Sequence, residues 1–248
     1  MRFRLATVLA LAGATAFAQT SDVESRITEA IASNVRTEAE KSRDSDRSPL
    51  ETLTFLGLRD DMRVLELLPG GGWYTKILAP VLRRDGELYV AIGTGNVSQN
   101  LVSEPGFDHV KVVDIGVSME RTGPFGTNFI PPFDFGLNGI DLALTFRNMH
   151  NFTPEGRANV NAAVFKALKS GGLYGVVDHS RRHMEPMTAE NRRRADVVQI
   201  IKEALEAGFE FVDYSDIHFR PDDELRFEVG RKTVTGNTDR FTLLFRKP

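Results

Sequence analysis

With 248 residues, 41% of them hydrophobic and 26% charged, the chain is long enough to bury one full core with an appendage. A formal charge of −3 does not point to nucleic acid as a partner. The absence of cysteine excludes disulfides, thiolate catalysis and Cys-ligated metals.

Residues 1–18 read as a cleavable export signal. Arg2 and Arg4 form the positive end, Leu5–Ala16 the apolar run, and Ala16-Phe17-Ala18 the small-x-small cleavage site. The run is shorter than the roughly 18 residues of a membrane anchor. The expectation is a mature chain beginning at Gln19, periplasmic or secreted, with no stable membrane anchor. Losing Arg2 and Arg4 takes the formal charge from −3 to −5, which does not point to nucleic acid either.

Residues 19–60 read as a helical cap. Val23, Ile27, Ala30, Ile31 and Val35 fall at helical spacing behind Thr20 or Ser21 as N-cap. A polar link, Lys41–Arg47, leads to Ser48-Pro49, an N-cap with Pro at the first helical position, and that helix stops at Gly57. Two roles are open to this cap: packing on a sheet, or covering a ligand.

Residues 61–248 read as one doubly wound domain organised around Arg63–Leu82. Val64, Leu65, Leu67 and Leu68 predict a buried strand, Pro69 with Gly70, Gly71 and Gly72 a turn, and Trp73 the start of a helix. Bare glycines before a helix N-terminus make a cradle for a small polar ligand, at the carboxyl end of the first strand. They serve tight strand-to-helix packing equally well. No Lys-Ser or Lys-Thr follows, as a nucleotide-hydrolase phosphate loop requires. Thr75 stands where the dinucleotide fingerprint has its third glycine.

Further strands are predicted at Glu87–Ile92, His109–Val113 ending at Asp114, Ile140–Phe146 and Leu173–Asp178. A long loop rich in Gly, Pro and Phe spans Gly116–Gly139. Helices follow from Thr153-Pro154 to Lys169, and over Thr188–Ala207 with Val197, Val198, Ile200, Ile201, Ala204 and Leu205 inward. Phe209–Ile217 and Arg240–Arg246 are joined by a segment too polar for a crossover helix, so they are expected to pair antiparallel.

Four stretches carry a family likeness: VLELLPGGGWYTKILAP (64–80), LTFRNMHNF (144–152), LKSGGLYGVVDHSRR (168–182) and TDRFTLLFRKP (238–248). Through them, over roughly residues 45–248, the chain resembles the class I S-adenosylmethionine-dependent methyltransferases, and within them a group of exported bacterial predicted methyltransferases. The resemblance implies a Rossmann-like, seven-stranded sheet, mostly parallel with the last strand antiparallel. It implies S-adenosyl-L-methionine as cofactor, with Glu66, Pro69, Gly70, Gly71, Gly72, Trp73 and Phe146 around it. Glu66 keeps the acid of the family's first motif, whereas Leu68-Pro69 displaces its first glycine. Ile92 stands where the family places a ribose-binding Asp or Glu, leaving Asn96 just beyond as a substitute. Asp114 resembles the acid that places the adenine amine, or is a strand-end turn residue.

An apolar fourth strand that ends abruptly in Arg147-Asn148-Met149-His150 places polar groups at the rim. His150 is a candidate general base or a structural histidine, and Arg147 a candidate carboxylate holder. Arg147, Asn148, His150 and His179 form the expected reaction centre, His179 converging on His150 from the neighbouring strand. His150, Asp178 and His179 also raise a metal-dependent hydrolase, and His179 and His183 have a one-turn spacing if helical, but the segment reads as loop without regularly spaced acids and no metal site is assigned. The leading expectation is a methyltransferase acting on a small molecule. The alternative is a non-catalytic or repurposed periplasmic binding protein on the same fold, favoured by the missing ribose acid and by a methyl donor made in the cytoplasm.

Overall fold

A computed structural model describes residues 22–248, so the expected signal segment and Gln19 lie outside the described residues. Parallel strands β1 (Arg63–Leu67), β2 (Glu87–Ala91), β3 (Lys111–Val113), β4 (Ile140–Phe146) and β5 (Leu168–Arg181) form most of one sheet. A two-residue β6 (Ala195–Asp196) pairs with the end of β5, and β7 (Glu210–Ser215) and β8 (Arg240–Arg246) complete the edge. The order is β3-β2-β1-β4-β5-β8-β7, with β8 antiparallel to both neighbours. This is the expected Rossmann-like sheet with its switch point between β1 and β4.

Strand alternation divides the core. Val64, Leu88, Val90, Leu142 and Leu144 point to one face, where a helix α1 over 22–32, α4 (Pro49–Phe55), α5 (Thr75–Leu82) and α6 (Gly95–Asn100) pack. Leu65, Leu67, Ala143, Tyr174 and Val176 point to the other, against α7 (Pro154–Ala167), α8 (Val197–Glu206) and the apolar residues Ile130 and Phe135 of the long loop.

Local departures from the sequence expectations have tertiary causes. Two single turns form around the polar link, α2 (Glu38–Lys41) ahead of it, closed by a Thr37–Glu40 capping box, and α3 (Asp44–Arg47) within it. Ser48 is left-handed at φ 39° and caps nothing with its side chain. Helix α5 opens two residues after Trp73, and α8 spans only the second half of Thr188–Ala207, starting from Asp196 as N-cap. In place of the expected first half, Arg194 is drawn inside to bond Asp223, Ser180 O and Phe227 O. Of the six apolar α8 positions, Ile200 and Ala204 are buried, while Val198 and Leu205 are exposed.

Buried His218 fastens the cap to the sheet. Its Nε2–H donates to Arg47 O at 2.9 Å and its Nδ1 meets the Thr242 hydroxyl at 2.7 Å. Burial, reinforced by Arg240 and only partly opposed by the bond to Arg47 O, pushes its pKa down to about 4. The unfolded chain therefore binds the extra proton more readily, and this contribution is complete above pH ~6.5 and lost as pH falls toward 4, on the order of 3 kcal/mol. Thermal melts between pH 7 and 4.5 should show His218→Gln with a flatter acid decline than the parent. Glu66, raised to about 7, acts in the opposite sense in both proteins and cancels from the comparison. Parallel declines would refute the role given to His218.

Candidate functional site

Three neighbouring strands end in a left-handed residue that is not glycine: Leu68 (φ 49°) after β1, Ile92 (φ 62°) after β2 and Arg147 (φ 63°) after β4. Each costs on the order of 1–2 kcal/mol and persists only where surrounding bonds enforce it. Leu68 N–H donates to Ala91 O at 2.9 Å, and Arg147 N–H to Val177 O at 2.6 Å. The Asn148 amide joins the ends of β1 and β4, with Nδ2 3.2 Å from Leu67 O, 3.4 Å from Leu68 O and 3.3 Å from Thr145 Oγ1. The chain thereby breaks away sharply along the carboxyl edge, the edge where doubly wound sheets bind ligands.

The three glycines divide the two roles open to them. A Cβ on Gly70 or Gly71 would meet nothing within 4 Å, whereas one on Gly72 (φ 80°) would lie 2.7 Å from Leu101 Cδ2. Gly70 and Gly71 face open space, and Gly72 is there for packing. The amides of Gly70, Gly71, Trp73 and Tyr74 find no acceptor among the described residues, as expected where a chain enters a helix. A cavity of about 260 Å³ opens on this turn, lined by Glu66, Leu68, Pro69, Gly70, Gly71, Trp73, Tyr74, Phe146, Arg147 and Asn148, with Glu40, Arg43 and Arg47 of the cap.

Glu66 lies beneath it, buried, its carboxylate accepting from the Thr75 hydroxyl at 2.6 Å. Burial pushes its pKa up to about 7, the single hydroxyl bond offsetting little. Tyr74 stacks on Phe146 with centroids 3.5 Å apart. Trp73 ties the cap down: its Nε1–H donates to Glu40 O at 3.0 Å, and the guanidinium carbons of Arg36 and Arg47 lie 4.7 and 4.2 Å from its centroid. Lys76 bonds Glu40 at 2.8 Å. The cap packs on the sheet and also lines the cavity.

His150 faces elsewhere. It lines a cavity of about 370 Å³ with Phe125, Thr127, Phe152, Arg157, Arg181 and Gln199, and an adjoining one of about 290 Å³ with Arg121, Asn128 and Arg192. Fully buried Asp178 receives the His150 backbone N–H at 2.9 Å and contacts its Nδ1 at 2.6 Å, so Nδ1 carries the proton and Nε2 is left as acceptor. His179 lies 5.9 Å from His150 between ring centroids, with Nδ1 3.0 Å from the Thr238 hydroxyl. Burial, with Arg240, His150 and Arg147 nearby, holds its pKa well below the ordinary range, so it stays neutral. His183 takes no part, because it pairs with Asp196 at 3.0 Å.

The structure thus gathers Glu66, Pro69, Gly70, Gly71, Trp73, Phe146, Arg147 and Asn148 at one cavity and sets His150 with Asp178 at another. Gly72, Ile92, Asn96, Asp114 and His179 line neither. Ile92 is 3% exposed and belongs to the core with Leu67 and Ala91, Asn96 is exposed, and the Asp114 carboxylate caps its own turn by accepting from Gly116 N–H at 2.9 Å. Sequence reasoning missed Tyr74, Arg47 and the orienting part played by Asp178. An aspartate preceding a histidine was the only signal for the last, and the first two carried none.

No family model matches the chain, and no curated protein does. Among solved structures it is similar to a SAM-dependent methyltransferase from Aquifex aeolicus, with TM-score 0.56 and 16% identity over 90% of this chain and 97% of that one. It is similar to the glycopeptide N-methyltransferase MtfA complexed with S-adenosyl-L-methionine, at TM-score 0.53 and 15% identity over 83% of this chain and 94% of that one. The [4+2]-cyclase SpnF aligns at TM-score 0.52 and 17% identity over 82% and 80% of the two chains. The fold is the Rossmann-like one of these methyltransferases. A cyclase shares it, so chemistry rests on the residues of this chain.

The division among the glycines is measurable. Gly72→Ala should destabilise by about 1–3 kcal/mol, since it forces a Cβ into Leu101 at a left-handed position. Gly71→Ala should leave the melting temperature within about a degree of the parent, on the scale of a surface substitution. Equal melting temperatures for the two variants would remove the packing role from Gly72.

Proposed function

We propose that the protein is an S-adenosylmethionine-dependent methyltransferase acting on a small molecule, of an exported bacterial group. The observation that carries this is the open turn at Gly70 and Gly71 above buried Glu66, at the carboxyl edge of a methyltransferase-fold sheet. The residues suit the amino-acid end of such a cofactor. Glu66, desolvated and bonded only to Thr75, is matched to an ammonium group, and the free turn amides are matched to a carboxylate. Phe146, Tyr74 and Trp73 supply apolar walls. The nucleoside end has no carboxylate at Ile92, so the ribose would rest on backbone and on groups beyond Asn96.

When bound, the cofactor supplies a sulfonium leaving group and an activated methyl. Alignment supplies most of what remains. Arg147 and Asn148 hold the rim of β4, and His150, its tautomer set by Asp178, takes a proton at Nε2 where the acceptor must lose one. His179, held neutral by burial and bonded to Thr238, lines neither cavity and is given no part in the reaction.

Calorimetric titration with S-adenosylhomocysteine tests the reading. The mature protein should bind it, and Gly71→Val should weaken binding at least tenfold at unchanged melting temperature, because the added side chain fills open space. His150→Gln should bind as the parent does. Below pH ~7 affinity should fall by up to tenfold per unit, as protonation of Glu66 competes with the ammonium group. No binding by the parent, or full binding by Gly71→Val, would sink the proposal.

The compartment is the second part of this reading, and it rests on residues 1–18. N-terminal sequencing of protein from the periplasm should begin at Gln19. Recovery only in the cytosol with Met1 intact would refute export.

A further inference from the structure

The glycine-turn cavity holds more positive charge than its acids offset. Arg47 is 4% exposed, lines the cavity, and its guanidinium has no carboxylate or carbonyl partner among the described residues, only the face of Trp73. Arg147 lines the cavity beside it, and its buried Nε finds no acceptor. Arg240, 7% exposed, stands behind with Nε likewise unbonded and Nη1 donating to Asp46 O. Arg43 is exposed and also lines the cavity.

The acids nearby are already engaged. Glu40 holds Lys76 and caps α2, Glu66 receives the Thr75 hydroxyl, and both oxygens of Asp178 are taken by His150 and the His179 amide. Asp46 stands near Arg240, which already donates to its backbone carbonyl. Removing a guanidinium from water without an anion is costly, and like charges packed together add to the cost. Burial, and secondarily the neighbouring arginines, lower Arg47 to about 8 and Arg147 to about 10. Such an arrangement is relieved when a ligand brings the missing charge. A planar guanidinium is suited to gripping a phosphate or carboxylate through two parallel bonds.

We propose that Arg47 and Arg147, backed by Arg240, bind a doubly charged acidic group, a phosphate monoester or paired carboxylates, on the methyl acceptor. This rests on the methyltransferase reading only for calling the ligand an acceptor. The cofactor's one carboxylate is served by the turn amides, and one negative charge would leave most of the arginine charge unmatched.

Trp73 is the only tryptophan of the chain and touches Arg47, so its fluorescence reports on the site directly. Titrations with inorganic phosphate, succinate and acetate at constant ionic strength, followed by fluorescence and by melting temperature, test the proposal. Phosphate or succinate should give a saturable response and raise the melting temperature, and whichever binds tighter identifies the acidic group. Acetate should give neither. Arg147→Met, which leaves the Trp73 contact untouched, should weaken the dianion at least tenfold, and Arg47→Met should do the same where it folds.

Repeating the phosphate titration with saturating S-adenosylhomocysteine separates this proposal from the preceding one. Unchanged phosphate affinity supports an acceptor site, and phosphate binding without any S-adenosylhomocysteine binding supports the anion site while sinking the methyltransferase reading. Mutual competition would overturn the proposal by assigning the arginines to the cofactor carboxylate. So would no response to either dianion, an equal response to acetate, or full phosphate affinity in Arg147→Met.

Discussion

The contact on which the site depends is that of the Arg47 guanidinium with the face of Trp73, 4.2 Å from ring centroid to charge centre. It joins the cap to the turn that leaves β1. Arg36 lies against the same ring, held by Asp44 at 2.9 Å and by Ile31 O at 2.7 Å, and Glu40 receives the indole N–H. Thus two single helical turns, α2 and α3, with little core of their own are anchored by one aromatic side chain. A cation against an aromatic face contributes about 2 kcal/mol or more when desolvated. That is enough to keep a four-residue turn in place that would not persist alone. His218, from the far end of the chain, completes the closure by holding Arg47 O.

The second constraint is backbone strain along the carboxyl edge. Leucine, isoleucine and arginine are poor choices for left-handed backbone, and Ile92 with its branched Cβ is the poorest. Their placement at the ends of three adjacent strands shows strain concentrated where the sheet opens. The compensation is local, through sheet bonds and the Asn148 amide. Asn148 is therefore a strut for the rim of β1, which explains why a polar residue there is half-buried yet bonded mainly to backbone. The glycines can then be used sparingly, two for openness and one for packing.

The edge holds two chemical environments on either side of the β4 terminus. On one side are Glu66, open glycines, and arginines without a carboxylate partner among the described residues. On the other, Asp178 fixes the orientation of His150 through its backbone N–H and Nδ1. Fold neighbours that include both methyltransferases and a cyclase make the same point: the scaffold supplies the edge, and the side chains on it decide the reaction.

What the sequence by itself determined is what short-range physics controls. Alternation and apolar runs located β1, β2, β4 and β8, and glycine chemistry located the open turn after β1, because strand periodicity and bare backbone leave marks within a few residues. Tertiary structure alone decided how Ser48, Arg47 and Arg194 are used, since each departs from its local preference to satisfy a partner far along the chain. It decided as well that Gly72 packs while Gly71 is open, that Ile92 joins the core, and that His150 and Glu66 serve different cavities. Those outcomes depend on which side chains from Leu101, Trp73, Asp178 and Asp223 arrive opposite, and contacts between residues tens of positions apart carry no periodic signature.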